Sequence, residues 1–202
     1  MLTVSSEACE RNKEPLLAVL REELADCEQL LEIGSGSGQH AVHFAAHLPR
    51  LTWQASELPE NLAPLAERIR AAQLPNLRAP LALDVRVRPW RMAAADAVFS
   101  ANTLHIIAWQ AVQQFFDGVG ALLAAPGVLC VYGPFRFRGR HTSDSNAAFD
   151  AYLRERDPLS GVRDFEALDA LAHAQGLKFS ADHAMPANNR TLVWRRAGRM
   201  TP

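Results

Sequence analysis

Cysteine is scarce in this 202-residue chain: Cys9, Cys27 and Cys130 are the only three, and no two form a C-x-x-C pair. An odd count without such a pair argues against a disulfide framework and against a cysteine zinc site. It points instead to reduced thiols in a cytoplasmic protein. Lysine is scarcer still, at Lys13 and Lys178 alone. Arginine carries the rest of the positive charge, and no function follows from that preference. No apolar run approaches the ~20 residues of a membrane span. Glu7, Glu10, Arg11 and Lys13 stand where a signal peptide would be apolar. The formal net charge is -1, which advertises neither nucleic acid nor an anionic membrane as partner. H-E-x-x-H is absent, and no carboxylate or cysteine joins His40, His43 and His47 nearby. No metal site is expected there.

What is present is ordinary globular composition, 49% hydrophobic and 21% charged. The length is enough for one domain with a sizeable core. With no internal repeat, low-complexity tract or boundary, the expectation is a single domain over 1–202.

The most informative stretch is Leu30-Leu31-Glu32-Ile33-Gly34-Ser35-Gly36-Ser37-Gly38-Gln39-His40. Leu30, Leu31 and Ile33 suit a buried parallel strand, and 41–48 read as a helix. Strand, glycine loop and helix in that order are what a nucleotide-binding loop requires. Glycine permits the tight turn and the close approach of a ligand, and the helix N-terminus offers unpaired N–H groups. The spacing is G-x-G-x-G and not the dinucleotide G-x-G-x-x-G, because position 39 is Gln. Glu32 stands two residues before the first glycine. E-x-G-x-G-x-G after an apolar strand resembles motif I of the class I S-adenosylmethionine (SAM) dependent methyltransferases. The resemblance implies that Glu32 contacts SAM and that a loop of Gly34, Ser35, Gly36 and Gly38 wraps its methionine part.

Further elements follow in register with such a fold. Residues 14–24 read as a helix with Pro15 in its first turn, after a polar segment holding Asn12 and Lys13. That segment is either a solvated helix entry or a lid in which Asn12 or Lys13 meets a carboxylate. Strand 51–56 ends at Glu57, placed to accept from ribose hydroxyls or to cap the helix over 59–72 beside Leu58. Strand 77–83 closes at Asp84, next to Val85, as an acceptor for the adenine amino group. Arg86, Arg88 and Arg91 follow on a solvated connection, and Trp90 is an alternative adenine contact. Strand 96–101 leads to Asn102 and His105 at the carboxyl edge where open α/β sheets bind ligands. His105 reads as a general base or acceptor contact, or equally as a structural histidine bonded to backbone. A helix over 109–124 precedes strand 128–132.

Arg136-Phe137-Arg138-Gly139-Arg140 alternates charge and ring, a pattern that binds single-stranded nucleic acid but more often forms a solvated strand edge. Helices over 145–156 and 165–175 lead to strands 177–182 and 191–195. The link between those strands is too short for a crossover helix, so they must run antiparallel. The expected fold is therefore α/β and Rossmann-like, with seven mostly parallel strands, a reversed last strand and helices on both faces.

Three stretches narrow the resemblance: Glu10-Arg11-Asn12-Lys13-Glu14-Pro15; Ser145-Asn146 with Phe149-Asp150, Leu153 to Pro158 and Gly161-Val162-Arg163-Asp164; and Pro186-Ala187-Asn188-Asn189. Together they resemble a small methyltransferase-like family that includes human methyltransferase-like twenty-six. The resemblance implies an N-terminal lid over about 5–26 and a cap over about 136–164. It also favours Asn12 and Lys13 as lid contacts. Acceptor-side candidates are Asn146, Asp150, Arg163, Asp164, Asn188 and Asn189, which read slightly better as a structural network holding the cap; Tyr132 is a further substrate contact. Two departures stand out: Glu57 where Asp is expected, and Ser160 where an aromatic is expected.

The function expected is methyl transfer from SAM to a small-molecule acceptor, leaving S-adenosyl-L-homocysteine. His105, Tyr132, His141, Asp144 and Asp150 are the candidates for any proton transfer, with Tyr132 better suited to positioning. The alternatives are a SAM-binding sensor without turnover, an RNA methyltransferase, and, disfavoured by Gln39, a nucleotide-dependent oxidoreductase.

Overall fold

The computed structural model describes residues 6–92 and 94–198. Its centre is a seven-stranded sheet in the order β3-β2-β1-β4-β5-β10-β9. The strands are β1 Gln29–Ile33, β2 Thr52–Glu57, β3 Leu81–Ala82, β4 Ala95–Ala101, β5 Leu123–Gly133, β9 Lys178–Met185 and β10 Asn189–Arg196. Pairs from β3 through β5 are parallel, whereas β10 runs antiparallel to both β5 and β9. The reversal is forced by the short 3-10 turn Pro186–Asn188, which leaves no room for a crossover. The expected sheet is thus the one found.

Period-two alternation sends neighbouring side chains to opposite faces, and each face has its own core. On one side Leu30, Trp53, Phe99 and Cys130 pack with three helices: α1 Glu7–Glu23, α2 Gln39–His47 and α3 Leu62–Ala72. On the other side Leu31, Val98, Leu129, Leu192 and Trp194 pack on α4 Trp109–Leu122 and α6 Phe165–Ala174. Central β1 is buried on both faces beyond its first residue, as a covered parallel strand must be. No helix among the described residues is long and apolar enough to cross a membrane.

Three expectations are corrected. Helix α1 begins at Glu7 and not at residue 14, so Pro15 lies inside it. Proline removes the bond to the Arg11 carbonyl there. Buried Leu16, Leu17 and Leu20 hold the helix to the sheet despite that loss. Strand β3 is two residues long, because Pro75 and Pro80 flank a segment that meets β2 only through the isolated Trp53–Leu77 bridge. Helix α4 stops at Leu122, since Leu123 is extended (ψ 123°) and pairs with Ala95, which lengthens β5 backwards.

The arginine-rich stretch, expected as a solvated strand edge, builds a small second sheet from β6 Phe135–Phe137, β7 Arg140–His141 and β8 Arg163–Asp164. Arg138 and Gly139, at φ 52° and 71°, make its two-residue hairpin turn. Phe135 is buried and Phe137 stacks on Phe165 at 5.4 Å. Phe135 lies in the core and Phe137 packs against it.

This second sheet and α5 Asp144–Arg156 form the cap. Ser143 caps α5 by accepting from the Asn146 N–H at 3.2 Å. Asp150 accepts from the Val162 N–H at 2.7 Å and from Arg154. Gly161 runs at φ 145°, and a Cβ there would meet Arg154 and Asp150 at under 3 Å. Arg163, 9% exposed, donates to the carbonyls of Leu104, Ile107 and Leu159. It thereby ties the cap to the loop after β4.

One charged side chain sits inside the main sheet. Glu32 is 1% exposed and accepts from the Trp53 indole N–H at 2.8 Å. Burial outweighs that bond and raises its pKa to about 7.

Two outcomes test this account. Arg163→Met leaves three carbonyls without their donor and should lower unfolding free energy in denaturant titration by ~3 kcal/mol. An unchanged midpoint would mean the cap does not depend on the clamp. Glu32 is protonated more readily folded than unfolded, so its contribution is fully present below about 4.5 and is lost as pH rises through about 7. Glu32→Gln should therefore gain on wild type above neutrality, by up to ~3 kcal/mol, with the gain vanishing toward pH 4.5 in melting curves.

Candidate functional site

A cavity of about 1150 Å³ opens where β1, β2, β4 and β5 end at the carboxyl edge of the sheet. Its floor begins at the turn out of β1. Gly34 has φ 75°, and a Cβ there would lie 2.5 Å from Thr103 Oγ1. Only glycine lets β1 leave the sheet beside the loop that follows β4. Gly36, also at positive φ, has open space where a Cβ would project. Gly34, Ser35 and Gly36 line the cavity. Gly38 does not; it stands at the N-terminus of α2 with φ 81°.

The loop is braced from below. The Ser35 Oγ accepts from the Ser56 N–H at 3.1 Å, and the Ser56 hydroxyl donates to the Glu32 carbonyl at 2.6 Å. Ser100 donates to the Ile33 carbonyl at 2.8 Å. Glu32 itself lies beneath the loop and off the cavity wall.

Glu57, at the end of β2, faces the loop. Its Oε2 accepts from the Gly36 N–H at 2.7 Å and its Oε1 from the Leu58 N–H at 2.9 Å. Each carboxylate oxygen has two lone-pair positions, so each keeps one for a ligand. Leu58, Asp84 and Val85 continue the same wall. Arg86 forks onto Asp84, with Nε 2.8 Å from Oδ1 and Nη2 2.6 Å from Oδ2, and holds that carboxyl below its ordinary range. Arg86 also lines the cavity. The sequence places Arg86 on a solvated connection, and only its position two residues after Asp84 signals the pair. Trp90 is elsewhere: its indole packs where a Cβ on Gly118 of α4 would be, and away from this cavity.

The remaining wall comes from β4, β5, α1 and the cap. Asn102, at φ 56°, donates its N–H to the Tyr132 carbonyl at 2.9 Å. His105 is 6% exposed on the cavity wall, and neither ring nitrogen has a hydrogen-bond partner among the described residues. Burial and the Arg163 charge lower its pKa to about 4, so it is neutral near pH 7. The structure thus shows no backbone bond to this imidazole. Asn146 uses its amide donors on Thr142 Oγ1 and the Asn188 carbonyl, at 2.8 and 2.9 Å. Ile106, Ile107, Phe149 and Leu159 supply apolar surface there, and of these only Phe149 lies in a stretch that the sequence singles out.

Other candidates stand off the wall. Lys13 pairs with Glu10 at 2.6 Å. His141 lies 3.5 Å from Asp150, within the cap. Asp150 and Arg163 make the cap bonds described above, Asp144 starts α5, and Asn188 bonds to Ser145. From the tip between β9 and β10, Asn189 reaches the cavity instead.

Solved structures share this fold. One is an O-methyltransferase family protein from Burkholderia thailandensis, with TM-score 0.81 and 17% identity over 93% of this chain and 57% of that one. Human N-acetylserotonin methyltransferase, solved in complex with SAM, has TM-score 0.78 and 16% identity over 95% and 53%. An O-methyltransferase family 2 protein from Planctomyces limnophilus, in complex with apigenin, has TM-score 0.79 and 16% identity over 92% and 56%. The chain spans little more than half the length of each. Its own sequence matches a family model over residues 3–196, so it belongs to the family described as protein of unknown function DUF938.

Proposed function

We propose that this protein is a SAM-dependent methyltransferase acting on a small-molecule acceptor. The observation that carries the reading is the pairing of Glu57 with the glycine loop. One carboxylate holds the Gly36 N–H at 2.7 Å and keeps a lone pair on each oxygen toward the cavity. That arrangement suits a ribose diol, which donates two hydrogen bonds. The methyltransferase names of the structural neighbours, one of them solved with SAM, support the same choice of cofactor.

In this reading Gly34, Ser35 and Gly36 would hold the methionine part, and Glu57 would accept from the ribose hydroxyls. Leu58 and Val85 would pack against the adenine, and Asp84, kept ionised by Arg86, would accept from its amino group. Asn102 would contact the cofactor from the end of β4. Bound SAM supplies a methyl already activated by its sulfonium, so the protein need not provide a nucleophile. Its tasks are to align the acceptor and to exclude water. Ile106, Ile107, Phe149 and Leu159 give the acceptor an apolar bed. His105, neutral and unpartnered, accepts the acceptor's proton at a ring nitrogen. Asn146, its donors engaged, offers its amide oxygen.

Two measurements test this reading. Calorimetry with SAM should show binding by the ligand-free wild type, weakened tenfold or more in Glu57→Ala, which is ~1.4 kcal/mol or above. Equal binding by both removes the ribose role, and no binding by folded wild type removes the methyltransferase. With an acceptor from a small-molecule screen, His105→Phe should lower kcat by ~100-fold while SAM affinity holds. Wild-type rate should lose activity only as pH falls toward about 4, where the imidazole gains its proton. A loss near the ordinary histidine value of about 6.5 would exclude His105 from that role.

A further inference from the structure

Tyr132 lies on β5, 3% exposed, with its phenol on the cavity wall. Two amides meet its hydroxyl. Asn189 Nδ2 donates to the phenol oxygen at 3.0 Å. Asn12, on α1 and 4% exposed, stands close by and acts on the phenol as a donor, against the larger rise from burial. The orientation of Asn12 follows from His40, whose Nε2 lies 2.7 Å from Asn12 Oδ1.

His40 is buried and its pKa is lowered to about 4, so it is neutral near pH 7. An amide oxygen only accepts, so the His40 Nε2 must carry the hydrogen. Asn12 therefore turns its NH2 group to Tyr132. The phenol oxygen thus accepts from Asn189 and faces a second donor on Asn12. The phenol's own hydrogen has no acceptor among the described residues and is left to the cavity. Burial raises the Tyr132 pKa, so the group stays a protonated donor.

The same wall carries a cation. Arg11 is the one charged side chain that α1 contributes to the cavity lining. Its pairing with Glu7 is loose, at 3.5 Å between exposed groups. It lies near enough to Tyr132 for its charge to act on the phenol.

We propose that Tyr132 is an obligate hydrogen-bond donor to a carboxylate of the bound ligand, with Arg11 as countercharge and His40 as the positioning residue that sets the donor's direction through Asn12. The carboxylate has two possible sources: the amino-acid end of the cofactor, in which case the assignment rests on the SAM reading, or the acceptor itself. A ligand with only a donor at this place faces two donors, the phenol O–H and the Arg11 guanidinium, and is disfavoured.

The test compares three probes on wild type and Tyr132→Phe by calorimetry: S-adenosylhomocysteine, methylthioadenosine, which lacks the amino-acid end, and sodium benzoate added to the S-adenosylhomocysteine-loaded protein. If the carboxylate is the cofactor's, Tyr132→Phe weakens S-adenosylhomocysteine about tenfold and leaves methylthioadenosine unchanged. If it is the acceptor's, both adenosyl ligands bind as before and the benzoate signal is lost. A variant that matches wild type with all three probes overturns the proposal. Should folded wild type bind neither adenosyl ligand, the cofactor reading fails by itself, and benzoate on the free protein decides the donor assignment. For His40, the readout is the affected ratio and not stability. His40→Gln, which can still donate to Asn12, should keep the wild-type ratio. His40→Leu should reproduce Tyr132→Phe, and a ratio unmoved in His40→Leu removes the positioning role.

Discussion

Everything at the carboxyl edge depends on one close approach. Strand β1 must leave the sheet where Thr103 already stands, and the gap between them is too small for a Cβ. Because Gly34 fits, the loop can lie flat against the ends of β2 and β4. Its N–H groups then turn to Glu57 and its underside to Ser56. A bulkier residue would lift the loop and separate Gly36 from the carboxylate, and the cavity would lose its floor. The buried braces at Ser56, Ser100 and Trp53 hold that floor at fixed height, which is what a preorganised binding surface needs.

The sheet was legible because its strands carry their own punctuation. Apolar runs ending at Gly34, Glu57, Asp84 and Asn102 marked four carboxyl ends, and the brief link around Pro186 marked the reversal of β10. What could not be read were features decided by tertiary packing. The start of α1 is an example: Pro15 argued for a helix beginning beside it, but Leu16, Leu17 and Leu20 dock on the sheet strongly enough to carry a proline mid-helix. The cap sheet is another, since β6 and β8 pair across a long stretch of intervening chain and neither is long enough to announce itself.

Within the cavity, the residues at strand ends were legible and those on the cap were not. Glu57 and Asp84 are acids at fixed offsets in a known topology. The apolar residues Ile106, Phe149 and Leu159 form a wall only once α5 folds over the loop after β4. Motif reading also placed Glu32 among the contacts, whereas its carboxyl is spent on Trp53 below the loop. His40 was weighed as a metal ligand because it is one of three histidines on α2. Its partner is instead an amide of α1, a relation that helix periodicity cannot convey.

The Arg163 clamp has a mechanical side. The guanidinium grips the carbonyls of Leu104 and Ile107, and the Gly161 N–H holds the His105 carbonyl at 2.8 Å. These bonds straddle the imidazole in sequence, so the cap and the histidine segment are geared together. The backbone that carries the imidazole is thus held by the same bonds that seat the cap, and one set of contacts fixes both the roof of the cavity and the histidine that faces its interior.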